Sequence, residues 1–238
     1  ACRGGDQRAC YWRANSVRSS DFDEAIKLYR ASCDAGLGES CNELGFFAKD
    51  GRGLPKSGAD AMKYWERACA AGSRDGCDSL GTGWRDGVGG EVNHPRAVVA
   101  YEAACKLLDA AGCTNLGRAL MKGEGVQKNA PRAKALWRQV CANDEKIDDA
   151  CRLLGDALVR GEGVTRDLEG GLAMLRRACR LGEAEDCRVA GVAMREFGDS
   201  LEGLRHLRTS CTWGSPRGCF ELSEVLARGG TGVDDPEE

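Results

Sequence analysis

No run of this sequence approaches the ~20 consecutive apolar residues that cross a bilayer, and no signal peptide opens it. If the protein is exported, its targeting segment is expected upstream of Ala1. The formal net charge is only −3 over 238 residues. That leaves no bulk attraction for nucleic acid or for an anionic membrane, so neither is expected as a partner. Proline is scarce, at five residues, which favours long helical stretches. Histidine is confined to His94 and His206. His94 precedes Pro95 and reads as a turn residue.

Several catalytic signatures are missing as well. There is no S-x-x-K and no G-x-S-x-G, so the usual serine machinery is excluded. No C-x-x-C occurs, the spacing expected of a structural zinc site or a thioredoxin-type exchange site. Gly123-Glu-Gly125-Val126 and Gly161-Glu-Gly163-Val164 lack the lysine of a Walker loop, so they read as helix stops. No catalytic residue, no cofactor and no metal are expected on these grounds.

What the chain has in abundance is glycine (33) and cysteine (14). Fourteen cysteines far exceed the usual level in a reducing compartment, and the even number permits full pairing. In chain order they form seven pairs: Cys2–Cys10, Cys33–Cys41, Cys69–Cys77, Cys105–Cys113, Cys141–Cys151, Cys179–Cys187 and Cys211–Cys219. Cys33, Cys69, Cys105 and Cys141 follow one another at intervals of 36 residues. A fixed period of this size signals a solenoid.

Other positions keep the same period. Leu-Gly recurs three residues after the second cysteine (Leu44-Gly45, Leu80-Gly81, Leu116-Gly117, Leu154-Gly155). A Gly-x-Gly turn follows at Gly51, Gly87, Gly123 and Gly161. An alanine then stands eight before the next cysteine (Ala25, Ala61, Ala97, Ala133), with large apolar residues after it (Tyr29, Trp65, Tyr101, Trp137, Leu175). Apolar spacings of three, four and seven mark one helix face. The glycine pair stops the first helix, because glycine readily takes the left-handed conformation of a helix end. Each unit therefore reads as helix A, a glycine turn and helix B. The first cysteine of a pair closes helix B and the second opens the next helix A.

The units expected are 8–36, 37–72, 73–108, 109–146, 147–182 and 183–214, with a partial unit 215–238, all in one array. Cys10 to Cys33 and Cys187 to Cys211 are shortened, which predicts tighter turns there. Both ends look cut within a repeat, since Gly230-Thr-Gly232-Val233 matches the turn with no helix B after it. His206 falls where other units have Leu28, Tyr64, Leu136 and Met174, and reads as a packed helix B residue.

The pattern C-x-x-L-G-x-x-x-x-x-G-x-G-V followed by A-x-x-x-x-x-x-A-C resembles the Sel1-like repeat family. The paired cysteines look most like the Helicobacter cysteine-rich proteins, and also resemble the mitochondrial Sel1-repeat cytochrome oxidase assembly factor. The resemblance implies an all-α fold, an α/α right-handed superhelical solenoid of about six helix-turn-helix repeats related to tetratricopeptide arrays. It also implies a non-enzymatic scaffold for a protein or extended peptide, working as a monomer in an oxidising compartment. That compartment would be secreted, periplasmic or envelope-associated, or else the mitochondrial intermembrane space. The same relatives supply alternatives: penicillin binding or weak β-lactamase-like activity, or assembly of a haem or metal cofactor.

If helix A packs as in tetratricopeptide repeats, the residues one, five, eight and nine after the second cysteine line a concave face. These positions vary while the packed ones do not. The candidate binding residues are Asn42, Phe46, Lys49, Asp78, Thr82, Arg85, Thr114, Arg118, Lys122, Arg152, Asp156 and Arg188. A basic row on a mildly acidic protein points to an acidic ligand, such as a peptide C-terminus.

Overall fold

A computed structural model of the chain describes residues 6–143 and 148–228. These residues form thirteen α-helices and no strand. They group into two compact units, Ala1–Lys128 and Asn129–Glu238. The first unit holds α1 (Gln7–Val17), α2 (Phe22–Asp34), α3 (Gly38–Asp50), α4 (Gly58–Ala70), α5 (Arg74–Asp86), α6 (His94–Lys106) and α7 (Ala110–Lys122). The second holds α8 (Ala130–Asn143), α9 (Asp148–Arg160), α10 (Leu168–Leu181), α11 (Ala184–Phe197), α12 (Ser200–Thr212) and α13 (Pro216–Ala227). Odd-numbered helices are the expected helix A and even-numbered ones helix B.

The glycine turns stop helix A as expected. Gly51, Gly87 and Gly123 cap α3, α5 and α7 in the left-handed conformation, and Gly161 after α9 has φ +69°. Only glycine adopts that region without steric cost. The chain then doubles back, and the residue capping helix B donates its N–H to a carbonyl near the end of helix A. Ser57 reaches Ala48 at 2.8 Å, Asn93 reaches Trp84 at 2.8 Å, and Asp167 reaches Leu158 at 3.0 Å. The side chains of Ser57, Asn93 and Asp167 also accept from the first turn of the helix they open, which satisfies a donor otherwise left bare. The shortened units have tighter connections, as the spacing predicts: residues 18–21 and 198–199, against 51–57 in a full unit.

Each hairpin packs through a small residue against a large one. A Cβ added to Gly45 would stand 2.3 Å from Trp65 Nε1, and one added to Gly81 2.5 Å from the Tyr101 ring. The Leu-Gly glycine is therefore the seat of the helix B aromatic. Tyr29, Trp65 and Tyr101 in the first unit, and Trp137 and Leu175 in the second, are at most 2% exposed. Burying one such side chain contributes roughly 1.5–3 kcal/mol. Ala25, Ala61, Ala97 and Ala133 are buried beneath them.

Helix B passes into the next helix A through one recurring turn. Leu37, Ser73, Asp109 and Ser215 donate backbone N–H to carbonyls five residues back, at 3.0–3.1 Å. This is the Schellman closure of a helix end. The residue before each donor is left-handed: Gly36, Gly72, Leu108 and Gly214. At these four junctions the turn delivers the two cysteines to one another, with Cα atoms 4.4–4.8 Å apart; the cysteines of the other two described junctions stand 5.0 and 4.3 Å apart. The six disulfides are Cys33–Cys41, Cys69–Cys77, Cys105–Cys113, Cys141–Cys151, Cys179–Cys187 and Cys211–Cys219. Each joins helix B to the following helix A. Chain-entropy reasoning gives roughly 2.5 kcal/mol per loop of this size. Cys2 of the seventh expected pair, and the turn at Gly230–Val233, lie outside the described residues.

Leu108 breaks the glycine rule of these turns. It has φ +61°, the one non-glycine residue with positive φ among those described, and is 76% exposed. Its side chain packs little, while the left-handed backbone costs about 1–2 kcal/mol. Leu108→Gly is therefore expected to stabilise the protein by about 1 kcal/mol, seen as a higher urea midpoint with an unchanged slope. An unchanged or lower midpoint would contradict this account of the turn.

Candidate functional site

The varying residues of helix A divide into those used for packing between repeats and those that meet at a cleft. In the first unit, Asn42 on α3 and Thr114 on α7 are buried, 8% and 4% exposed. Thr114 Oγ1 donates back to the Ala110 carbonyl at 2.8 Å. Phe46 meets the Trp65 ring edge-on at 5.4 Å, and the Lys49 ammonium lies 5.6 Å from the Phe46 centroid. Burial and these ring contacts engage the four residues within the fold.

Cross-repeat pairs occupy position one elsewhere. Asp78 on α5 accepts from Asn115 Nδ2 on α7 at 2.8 Å. Burial raises the Asp78 carboxyl above the usual range, an effect the Asn115 bond opposes. In the second unit, Arg152 on α9 pairs with Asp149 and, at 2.8 Å, with Asp186 on α11. Arg188 on α11 grips Glu185 at 2.8 Å and reaches Glu221 on α13 at 2.6 Å. Asp156 holds Arg160 at 2.8 Å along α9. Arg152 and Arg188 are about 20% exposed and bridge successive helices A. Partial burial makes such hydrogen-bonded pairs stronger than exposed ones, so these cations are engaged within the fold.

Three other predicted cations come together. Arg85 from α5 and Arg118 and Lys122 from α7 line one cleft of about 260 Å³. Its floor is α6, which contributes His94, Ala97, Val98 and Tyr101, and Asn115 and Glu124 complete the lining. Tyr101 OH is 3.3 Å from Oγ1 of the predicted residue Thr82, which is not part of the cleft lining. Arg85 makes two bonds to Asp86, at 2.7 and 3.0 Å, and Lys122 lies 3.5 Å from Glu124. The Asp86 bonds are the main reason the Arg85 pKa is raised. A ligand carboxylate entering here would exchange with carboxylates already beside the cations.

His94, Tyr101 and Asn115 were not among the predicted residues. His94 opens α6 and does not sit in a turn. Asn115 stands two after Cys113, beside the positions considered, and Glu43 and Glu221 hold the same place in their units. Glu43 pairs with Arg18 at 3.4 Å and Glu221 with Arg188. Polar complements recurring at this position were the signal that marked the cross-repeat ladder.

Comparison with known proteins agrees with this architecture. The Sel1 repeat matches residues 5–37, 38–73, 110–144 and 148–183, more than half of the sequence. The chain belongs to the Sel1 repeat family. A protective antigen of uropathogenic Escherichia coli displaying an SLR fold aligns with TM-score 0.82 and 20% identity, over 98% of this chain and 52% of the antigen. This chain thus spans about half the length of that relative. A Sel1 repeat protein of Oxalobacter formigenes aligns with TM-score 0.75 and 22% identity, over 87% of this chain and 88% of its own. Helicobacter pylori cysteine rich protein B is 28% identical over 56% of this chain and 93% of its own, with TM-score 0.43. Curated protein sequences give no match. The fold is the all-α Sel1-like solenoid, a repeat scaffold.

The buried Asp78 gives a pH test of the cross-repeat ladder. A carboxyl whose folded pKa is raised stabilises fully below its unfolded pKa of about 3.9. That contribution is lost as pH rises through the folded pKa. Asp78→Asn keeps an acceptor for Asn115 and removes the titration. Its stability relative to wild type should rise between about pH 3 and about pH 7, measured by urea denaturation at both. A difference independent of pH would contradict the burial of Asp78 as a charged group.

Proposed function

We propose that this chain is a non-enzymatic scaffold that holds an extended, carboxylate-bearing peptide or protein segment. The observation that carries the reading is the convergence of Arg85, Arg118 and Lys122 from successive helices A on one cleft. Arginine presents paired donors matched to a carboxylate, and each charge-assisted bond contributes about 1.5–3 kcal/mol. Tyr101 and Asn115 add a ring and an amide that orient the entering group. Family membership supports the scaffold role, because Sel1 repeats form arrays with variable faces.

The working form on this reading is one monomeric array from 1 to 238, in an oxidising compartment outside the cytosol. The six disulfides support that setting, since thiols in a reducing cytosol stay open. No membrane-spanning helix is present among the described residues. The β-lactam reading is less well supported, because the described lining of the cleft holds no serine or cysteine nucleophile.

The test compares acidic peptides with a free C-terminus against their amidated forms, using fluorescence anisotropy. The free acids should bind more tightly, and their affinity should fall as salt rises. Replacing Arg85, Arg118 and Lys122 together with alanine should weaken binding about tenfold or more with an unchanged melting temperature. Equal affinity in the triple variant, or no preference for the free acid, would overturn the reading.

A further inference from the structure

The residue five before the first cysteine of a pair reads Leu28, Tyr64, Ala100, Leu136, Met174 and His206 along the chain. In the second unit this position rests on the sulfur of the preceding junction. Met174 Sδ is 3.8 Å from Cys141 Sγ, and His206 Nδ1 is 3.2 Å from Cys179 Sγ. An imidazole therefore stands where other repeats place an apolar side chain or a thioether. Cys179 and Cys187 are buried, at 4% and 0% exposed, and the His206 side chain is 18% exposed.

The other side of the imidazole is built too. His206 Nε2 faces Glu202 Oε1 at 3.8 Å, and Arg176 holds both Glu202 oxygens at 2.6 Å. The anchored carboxylate stands on the Nε2 side of the ring, and Nδ1 is the nitrogen that meets sulfur. Metal-binding histidines are oriented in this way, with a carboxylate on the nitrogen that does not ligate. Sγ of Cys179, Sγ of Cys187 and a ring nitrogen of His206 all lie within 4.8 Å of one another. Among the described residues, this is the one group of three histidine, cysteine or carboxylate donors gathered in this manner.

We propose that the Cys179–Cys187 junction is a redox-gated zinc site: closed as a disulfide, and able to take Zn²⁺ on Cys179, Cys187 and His206 once a dithiol opens it. The dithiol supplies two electrons and two protons. The S–S bond breaks, two cysteine thiols form, and the dithiol closes to its own disulfide. Zn²⁺ then displaces the two thiol protons to solvent and accepts the Nδ1 lone pair as a third bond. Water completes a tetrahedral set. Ideal zinc bond lengths separate sulfur and nitrogen by about 3.5 Å, close to the 3.2 Å already present. The equivalent place at Cys141–Cys151 offers only the Met174 thioether, a poor ligand for zinc.

The full chain is reduced with dithiothreitol, freed of it under argon, and divided. One half receives one equivalent of Zn²⁺, and both are pulsed with iodoacetamide and mapped by mass spectrometry. Zinc should slow alkylation of Cys179 and Cys187 about tenfold or more and leave Cys33, Cys41, Cys141 and Cys151 unchanged. His206→Leu, the residue type of Leu28 and Leu136, fits the position and should abolish the protection. Protection spread equally over the other pairs, retained in His206→Leu, or absent because the reduced chain has opened throughout, would overturn the proposal.

Discussion

The rest of this structure depends on how closely the end of one helix hairpin meets the start of the next. At four junctions a left-handed turn residue lets helix B close on itself and brings the following helix A alongside, and at all six described junctions the paired cysteine Cα atoms are 4.3–5.0 Å apart. The disulfide holds that approach with a covalent bond. A solenoid repeat touches chiefly its neighbours, so the junction is where such an array would otherwise open. A covalent bond there shortens the opened chain's excursions at each repeat, roughly 2.5 kcal/mol at a time. Inside the hairpins a large helix B residue seats on a glycine of helix A, Trp65 on Gly45, Tyr101 on Gly81, Leu175 on Gly155 and Leu207 on Gly191.

The varying helix A positions are used in two ways. Arg152 and Arg188 bind carboxylates of the next helix A and extend the junction's work with polar contacts. Arg85, Arg118 and Lys122 face a common cleft. The difference lies in the partner across the repeat. Asp186 and Glu221 stand opposite the first two arginines, whereas Arg85 and Lys122 pair with Asp86 and Glu124, one and two residues away in sequence. A cation held by a carboxylate on the next helix is structural.

The repeat was readable because period, glycine and cysteine are one-dimensional facts. Gly51, Gly87, Gly123 and Gly161 announced their backbone, and Ala25 or Trp65 announced its burial by spacing alone. The faces were less readable. Asn42 and Thr114 share positions with Arg152 and Arg188, yet the first two are buried and the last two are ion-paired. Which happens depends on a residue 33 to 37 positions away and on the offset between two helices. Leu108 was invisible as a turn residue, because leucine gives no hint of positive φ. His206 was placed correctly as a packed helix B residue, but packing against a sulfur gives an imidazole a meaning that its position in the repeat does not reveal.

The central claim, that each described junction is locked by its own disulfide, is tested most directly by mapping the native protein without reduction. The protein is treated with an alkylating agent, digested, and examined by mass spectrometry before and after reduction. Unalkylated, linked pairs Cys33–Cys41, Cys69–Cys77, Cys105–Cys113, Cys141–Cys151, Cys179–Cys187 and Cys211–Cys219 are expected. Alkylated cysteines at these positions, or links between cysteines of different junctions, would contradict it.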